Sequence, residues 1–235
     1  MITRGSAVRL LSCLSVRHSP KSTALTSRFW LAMSSSRRGF KPGRGTGDKG
    51  MSSLYTNEKR WKDDAVFEAL GATDELSCEI GLSREVCSAN NLGDVAATLQ
   101  RVQCCLQDLG SHVATPPADP GARQAKQEKT RFDAALVEEV DGLIDAYDQG
   151  MPPLKNFILP GGGLPSAQLH KARSVCRRAE RSLVQLNRSG QTVSEEALRY
   201  LNRLSDLLFV LARYSTKQMG LEDSIYVKPT TTTAK

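Results

Sequence analysis

Several kinds of chemistry lack their residues in this chain. The three histidines, His18, His112 and His170, stand far apart, and none lies near a cysteine at zinc-finger spacing. No Ser–His–Asp order and no metal-ligand cluster can be assembled, so no resident metal is expected. The six cysteines (Cys13, Cys78, Cys87, Cys104, Cys105 and Cys176) form no CxxC pair. Cys78 and Cys176 fall in apolar-periodic segments and read as buried free thiols. The longest uninterrupted apolar run is Leu207–Ala212, far short of the ~20 residues that span a bilayer, so no membrane partner is expected. Acidic residues are missing from the first 47 positions, which hold nine of the 32 basic side chains. The formal charge of +7 therefore belongs to the leader, because 23 basic residues against 25 acidic ones remain. No basic surplus is left to neutralise phosphates, which argues against a nucleic-acid partner, and none is expected.

The leader, residues 1–36, is Arg-rich, Ser-rich and acid-free. That is the composition of a mitochondrial transit peptide, which points to the matrix. A disordered basic tail is the alternative. A secretory signal fits worse, since arginines interrupt any apolar stretch.

Five amphipathic helical patterns follow. The first runs Val66, Leu70, Thr73, Leu76 and Ile80, with Asp63 or Asp64 as cap. The second, Val95, Leu99, Val102, Leu106, Leu109 and Val113, alternates steps of four and three. The third carries Leu136, Val140, Leu143, Ile144 and Tyr147 and stops at Gly150. The fourth carries Leu169, Ala172, Val175, Ala179, Leu183 and Leu186 and stops at Gly190. The fifth opens with a capping box, Thr192 to Glu195, and continues through Leu198, Leu201, Leu204, Leu208 and Leu211. No strand alternation competes, so an all-α antiparallel bundle is expected. Residues 37–60 read as a glycine-rich N-terminal loop, 61–225 as the bundle and 226–235 as a flexible tail. Pro116–Arg131 reads as a polar surface loop. Met151–Ser166 carries Phe157, Ile158 and Leu159 before Pro160-Gly-Gly-Gly163, a mixture that suits either a functional loop or a self-packed connection.

Two segments could hold an anion. Gly45-Thr-Gly-Asp-Lys-Gly50 matches GxGxxG, but no strand precedes it and the polar run Met51–Arg60 follows, which argues against a dinucleotide fingerprint. It also misses a Walker A loop, because Met51 stands where Lys is needed. Backbone N–H groups converging on an anion, or a flexible linker, both remain open. On the fourth helix, Arg173, Arg177 and Arg181 step by four and share a face with Arg178 and Glu180 nearby. Arginine suits bidentate phosphate recognition, while a solvated face stitched by Glu180 is the alternative. On the fifth helix Asn202 and Asp206 interrupt the leucine stripe.

Five segments together carry a resemblance: Thr46-Gly-Asp-Lys-Gly50, Gly71-Ala-Thr-Asp-Glu-Leu76, Phe157-Ile-Leu-Pro-Gly-Gly-Gly163, Arg177-Arg-Ala-Glu-Arg181 and Leu201-Asn-Arg-Leu-Ser-Asp206. In this order and spacing the chain resembles the trimeric ATP:cob(I)alamin adenosyltransferases, mitochondrial animal members above all, over roughly residues 46–228. The resemblance implies a five-helix, ferritin-like bundle in a homotrimer with active sites between subunits. It implies transfer of the 5′-deoxyadenosyl group of ATP to cob(I)alamin, with release of triphosphate and Mg²⁺ accompanying the nucleotide. Arg44, Gly45, Thr46, Gly47, Ser52, Ser53 and Lys62 would then contact ATP, as would Arg177, Arg178, Glu180, Arg181 and Asn202. Asp74 and Arg173 would pair across the subunit boundary. Phe157 would lie on the cobalamin face where the lower ligand is displaced, and Arg177, Asp206 and Phe157 would act at the reacting centre. Cob(I)alamin is itself a strong nucleophile, which explains the lack of an acid–base constellation. The family loop usually reads Tyr-Thr-x-Thr-Gly-Asp; here Arg44 replaces the first Thr. A reductase and a cobalamin-dependent mutase are implied partners. The alternative functions are a non-catalytic cobalamin carrier serving such a mutase and a metal-storing bundle. The latter would need Glu-x-x-His pairs, and neither His112 nor His170 has one.

Overall fold

A computed structural model describes residues 45–116, 124–191 and 193–229. The leader, Arg44, Cys13, His18, Thr192 and residues 230–235 lie outside these. The chain divides into units Met1–Gly45 and Thr46–Lys235. Of the first unit only Gly45 is described, with φ +86°.

Five long helices match the five stripes: α1 (Ala65–Ala89), α2 (Gly93–Val113), α4 (Ala135–Asp148), α5 (Leu164–Arg188) and α6 (Glu195–Gln218). Between α2 and α4 lies a short sixth, α3 (Gln124–Lys129), where a loop was expected. It is six residues of strong helix formers, too short to show a period. α1 packs on α2 and α5, α5 on α6, and α6 on α4. All six α2 stripe residues are buried, as are Leu201, Leu204, Leu208 and Leu211 of α6. Phe132 stacks edge-on against the buried Tyr200, with centroids 5.2 Å apart. Burial of this kind contributes about 25 cal/mol per Å² of apolar surface.

The caps are local chemistry. Asp64, not Asp63, caps α1 by accepting from Val66 N–H at 2.9 Å. Ser194 caps α6 by accepting from Ala197 N–H at 3.2 Å. The expected cap Thr192 lies outside the described residues, and Ser194 is the residue next to Glu195 where the helix starts. All five described cysteines are free. Cys176 is buried and its thiol reaches Leu201 O at 3.3 Å, but Cys78 is exposed, correcting the expectation of a buried thiol.

Two short antiparallel pairs interrupt the all-α pattern. β1 (Met51–Ser53) pairs with β2 (Lys59–Trp61), Ser52 opposite Arg60. β3 (Ile158–Leu159) pairs with β4 (Ser224–Ile225). The β1–β2 hairpin turns at Asn57, which takes φ +67°, a conformation Asn tolerates better than most residues. It buries Leu54 and ties to the end of α2 through Tyr55 N–H to Ala114 O, 3.1 Å. Strands of two or three residues give no alternation to read. No described helix is long and apolar enough to cross a membrane.

Candidate functional site

The glycine-rich loop leads into β1 rather than into a helix, so the dinucleotide reading fails on structure too. Gly50 N–H closes a turn on Gly47 O at 3.2 Å, and Lys62 N–H donates to Gly50 O at 2.9 Å. The Lys62 ammonium lies 3.0 Å from where a Cβ on Gly47 would stand. Any side chain at 47 would push that cation aside. Gly47 and Lys62 thus meet at one place, Ser52 follows on β1 opposite Arg60, and Thr46 and Ser53 are exposed. The hairpin is anchored by Arg60, which donates to Glu58 at 2.8 Å and Gln191 at 2.9 Å and lies 3.5 Å from Asp64. Sequence reading missed this network, because Gln191 lies 131 positions from Arg60.

A second group lies on α5 and α6. Arg177 and Arg181 are exposed and have no ion-pair partner among the described residues. Arg178 pairs with Glu75 of α1. Glu180 does not stitch the arginines; it accepts from Asn202 Nδ2 at 3.0 Å. Asn202 Oδ1 in turn accepts from Arg203 at 2.9 Å, and Arg203 pairs with Asp141 of α4 at 3.0 Å. Asp206 is exposed one turn beyond Asn202. Two exposed cations therefore stand without an ion-pair partner among the described residues, beside a fixed Glu180–Asn202 pair.

The third group surrounds a cleft of about 620 Å³ lined by Lys155, Phe157, His170, Arg173, Phe209 and Tyr226 among others. Phe157 is 85% exposed at its lip. The Arg173 guanidinium lies 5.4 Å from the Phe209 ring centroid, a cation–π distance. His170 is edge-on to the same ring at 5.9 Å. Burial lowers the His170 pKa, the Arg173 charge lowers it further, and Asp223 opposes both. The cleft is built by two connections the stripes did not reveal. Tyr226 N–H donates to Phe157 O at 2.8 Å. Arg213, only 6% exposed, donates to Asp223 at 3.0 Å and to Pro152 O at 2.7 Å. An arginine on the buried side of a leucine stripe was the available signal.

The chain brings Phe157 and Arg173 to one cleft, and Arg177 follows Arg173 by one turn of α5. The hairpin residues and the α5 arginines share no hydrogen bond or ion pair among the described residues. Asp74 is exposed on α1, beside a shallow groove of about 270 Å³ between α1 and α2, and does not pair with Arg173 in this chain. No described cluster of acidic, histidine or cysteine side chains could hold a metal ion.

A family model for cobalamin adenosyltransferase matches residues 44–215. The chain is 49% identical over 183 residues to the corrinoid adenosyltransferase MMAB of Mus musculus, covering 78% of this chain and 76% of that protein. Identity to the Homo sapiens protein of that name is also 49%, over 72% of its length. Among solved structures, a variant PduO-type ATP:corrinoid adenosyltransferase from Lactobacillus reuteri, complexed with cobalamin and ATP, superposes with a TM-score of 0.69 at 32% identity. That match covers 77% of this chain and 97% of the other.

Proposed function

The chain belongs to the cobalamin adenosyltransferase family, and from that premise we propose how its residues carry out ATP-dependent adenosylation of cobalamin. The observation that carries the reading is the sequence of groups along one face of α5. Arg173 lines the Phe157 cleft, and the unpaired Arg177 and Arg181 stand one and two turns further on. A corrin in the cleft and a triphosphate on the arginines would then meet between them.

The reaction forms a bond from cobalt to the ribose C5′ and breaks C5′–O5′. The cobalt(I) lone pair becomes the new bond, and triphosphate leaves with the electrons of the old one. No proton need move at the reacting carbon, so no general base is required. What the protein supplies is in-line placement and stabilisation of the departing charge. Arg177, Arg178 and Arg181 hold the triphosphate, with Lys62 and the backbone near Thr46 and Gly47 closing on it. Ser52 and Ser53 add hydroxyl donors beside it. Glu180, fixed by Asn202, accepts from the sugar or base. Asp206 lies one turn beyond Asn202 towards the reacting atoms. Phe157 presents an apolar face where cobalt sheds its lower ligand. Mg²⁺ would enter with the nucleotide and help neutralise the departing triphosphate; no cluster of acidic, histidine or cysteine side chains that could hold it stands among the described residues.

Among the described residues the hairpin and the α5 arginines share no hydrogen bond or ion pair, which suits a homotrimer whose sites lie between subunits, with Asp74 of one copy meeting Arg173 of the next. Cob(I)alamin must come from a one-electron reduction, so a reductase acts upstream, and a cobalamin-dependent mutase consumes the product in the mitochondrial matrix. The test is turnover: purified protein, ATP, Mg²⁺ and chemically reduced cobalamin should give adenosylcobalamin, followed by its absorbance change. Absence of product with the wild-type chain would overturn the reading.

A further inference from the structure

His170 is a buried polar side chain on α5 with no part in holding the nucleotide. It is 5% exposed, sits on α5 one turn before Arg173, and forms part of the cleft wall behind Phe157. Its Nδ1 is sealed from solvent and has no hydrogen-bond partner. The Phe209 ring packs against it edge-on. A proton on Nδ1 would be a buried N–H with no acceptor, costing more than a buried lone pair. The proton of the neutral ring therefore belongs on Nε2, the nitrogen left for the cleft. Arg173, one turn away, discourages a second proton.

We propose that His170 is a specificity residue for the corrin, donating a hydrogen bond from Nε2 to an amide carbonyl on the rim of the ring. The proposal rests on the adenosyltransferase reading. A corrin bears acetamide and propionamide arms, so its edge is rich in neutral carbonyl acceptors. A fixed neutral donor, set between the Phe209 ring and the cleft, discriminates for such an acceptor, because a buried donor without one is left unsatisfied. The phosphates of ATP are matched instead by the arginines further along the helix.

Two substitutions separate a donor from a packing role. His170→Phe keeps a planar ring and removes the donor; His170→Gln keeps a donor N–H. In steady-state turnover with wild-type protein alongside, His170→Phe should raise the KM for cob(I)alamin about tenfold and leave the KM for ATP unchanged. His170→Gln should recover most of the loss. An unchanged cobalamin KM in His170→Phe, or equal losses for both substrates in both variants, would overturn the proposal. An inactive wild-type control would instead sink the functional reading beneath it. A second measurement needs no variant: ¹⁵N spectra of histidine-labelled protein should show the Nε2–H tautomer for His170. Its Nε2 resonance should shift when adenosylcobalamin, a diamagnetic ligand, is added. An Nδ1–H tautomer, or no shift on saturation, would overturn it.

Discussion

Arg177 and Arg178 are neighbours in sequence with different commitments. Arg178 pairs with Glu75, whereas Arg177 has no acidic partner among the described residues. Arg177→Ala should therefore lower kcat/KM for ATP about 10- to 100-fold, the scale of one or two charge-assisted hydrogen bonds, while the melting temperature stays nearly constant. Arg178→Ala should do both kinds of damage, losing a phosphate contact and loosening α1 from α5. The exposed ion pair itself contributes under ~1 kcal/mol. Adenosylcobalamin formation at varied ATP, beside thermal melts, distinguishes the two. An Arg177→Ala enzyme with wild-type kinetics would remove that residue from the site. Arginine spacing on α5 was legible from sequence. Which arginine was already occupied was not, because Glu75 is about 100 positions away and only the fold brings it near.

At the scale of elements, both ends of the α5–α6 pair hold consequences. The start of α5 passes close to the end of α6 at Gly162, whose φ is +84° and whose absent Cβ would overlap the Thr216 side chain. Gly162→Ala should cost about 1–3 kcal/mol and displace the Phe157 connection, seen as a lower urea midpoint and a higher KM for cobalamin. A midpoint equal to wild type would show that the approach is not tight. The start of α6 is held by His112, whose Nδ1 lies 3.2 Å from Thr130 O and whose Nε2 accepts from Ser194 N–H at 3.2 Å. Only the neutral ring can make both bonds. Burial lowers its pKa, opposed by the Thr130 bond and by Glu196. The unfolded chain then binds the proton first, near pH 6.5. Stability is full above that pH and is lost as pH falls through the lower folded pKa. His170 contributes in the same direction, so the difference between chains is what counts. The urea midpoint of the wild type should fall more steeply between pH 7 and 5 than that of His112→Phe. Parallel slopes would refute the linkage.

For the whole molecule, the open question is what covers Asp74. It lies exposed beside the α1–α2 groove, while Arg173 lies over Phe209, and the two do not meet in one chain. If copies pair through them in the proposed trimer, Asp74→Arg alone should shift sedimentation towards the monomer and lower turnover at least tenfold, because a desolvated like-charge contact costs several kcal/mol. Asp74→Arg combined with Arg173→Asp should restore the trimer. A single variant that sediments as the wild type would exclude this pairing. The slightly acidic charge of residues 48–235 leaves the arginine face as a local feature rather than part of a basic surface.

The sequence by itself determined the five long helices, since each stripe repeats at the helical period and buries one face. It also set the four-residue spacing that puts Arg173, Arg177 and Arg181 on one face of α5. The two short strand pairs, the helix α3 and the cap at Ser194 came from contacts too local or too brief to leave a period. The cleft was decided by tertiary structure alone. Phe157 owes its place to Tyr226, the 151–156 segment to Arg213, and the wall behind it to His170. Those partners are up to about 70 positions apart, and a hydrogen bond between distant residues has no periodicity for a sequence to display.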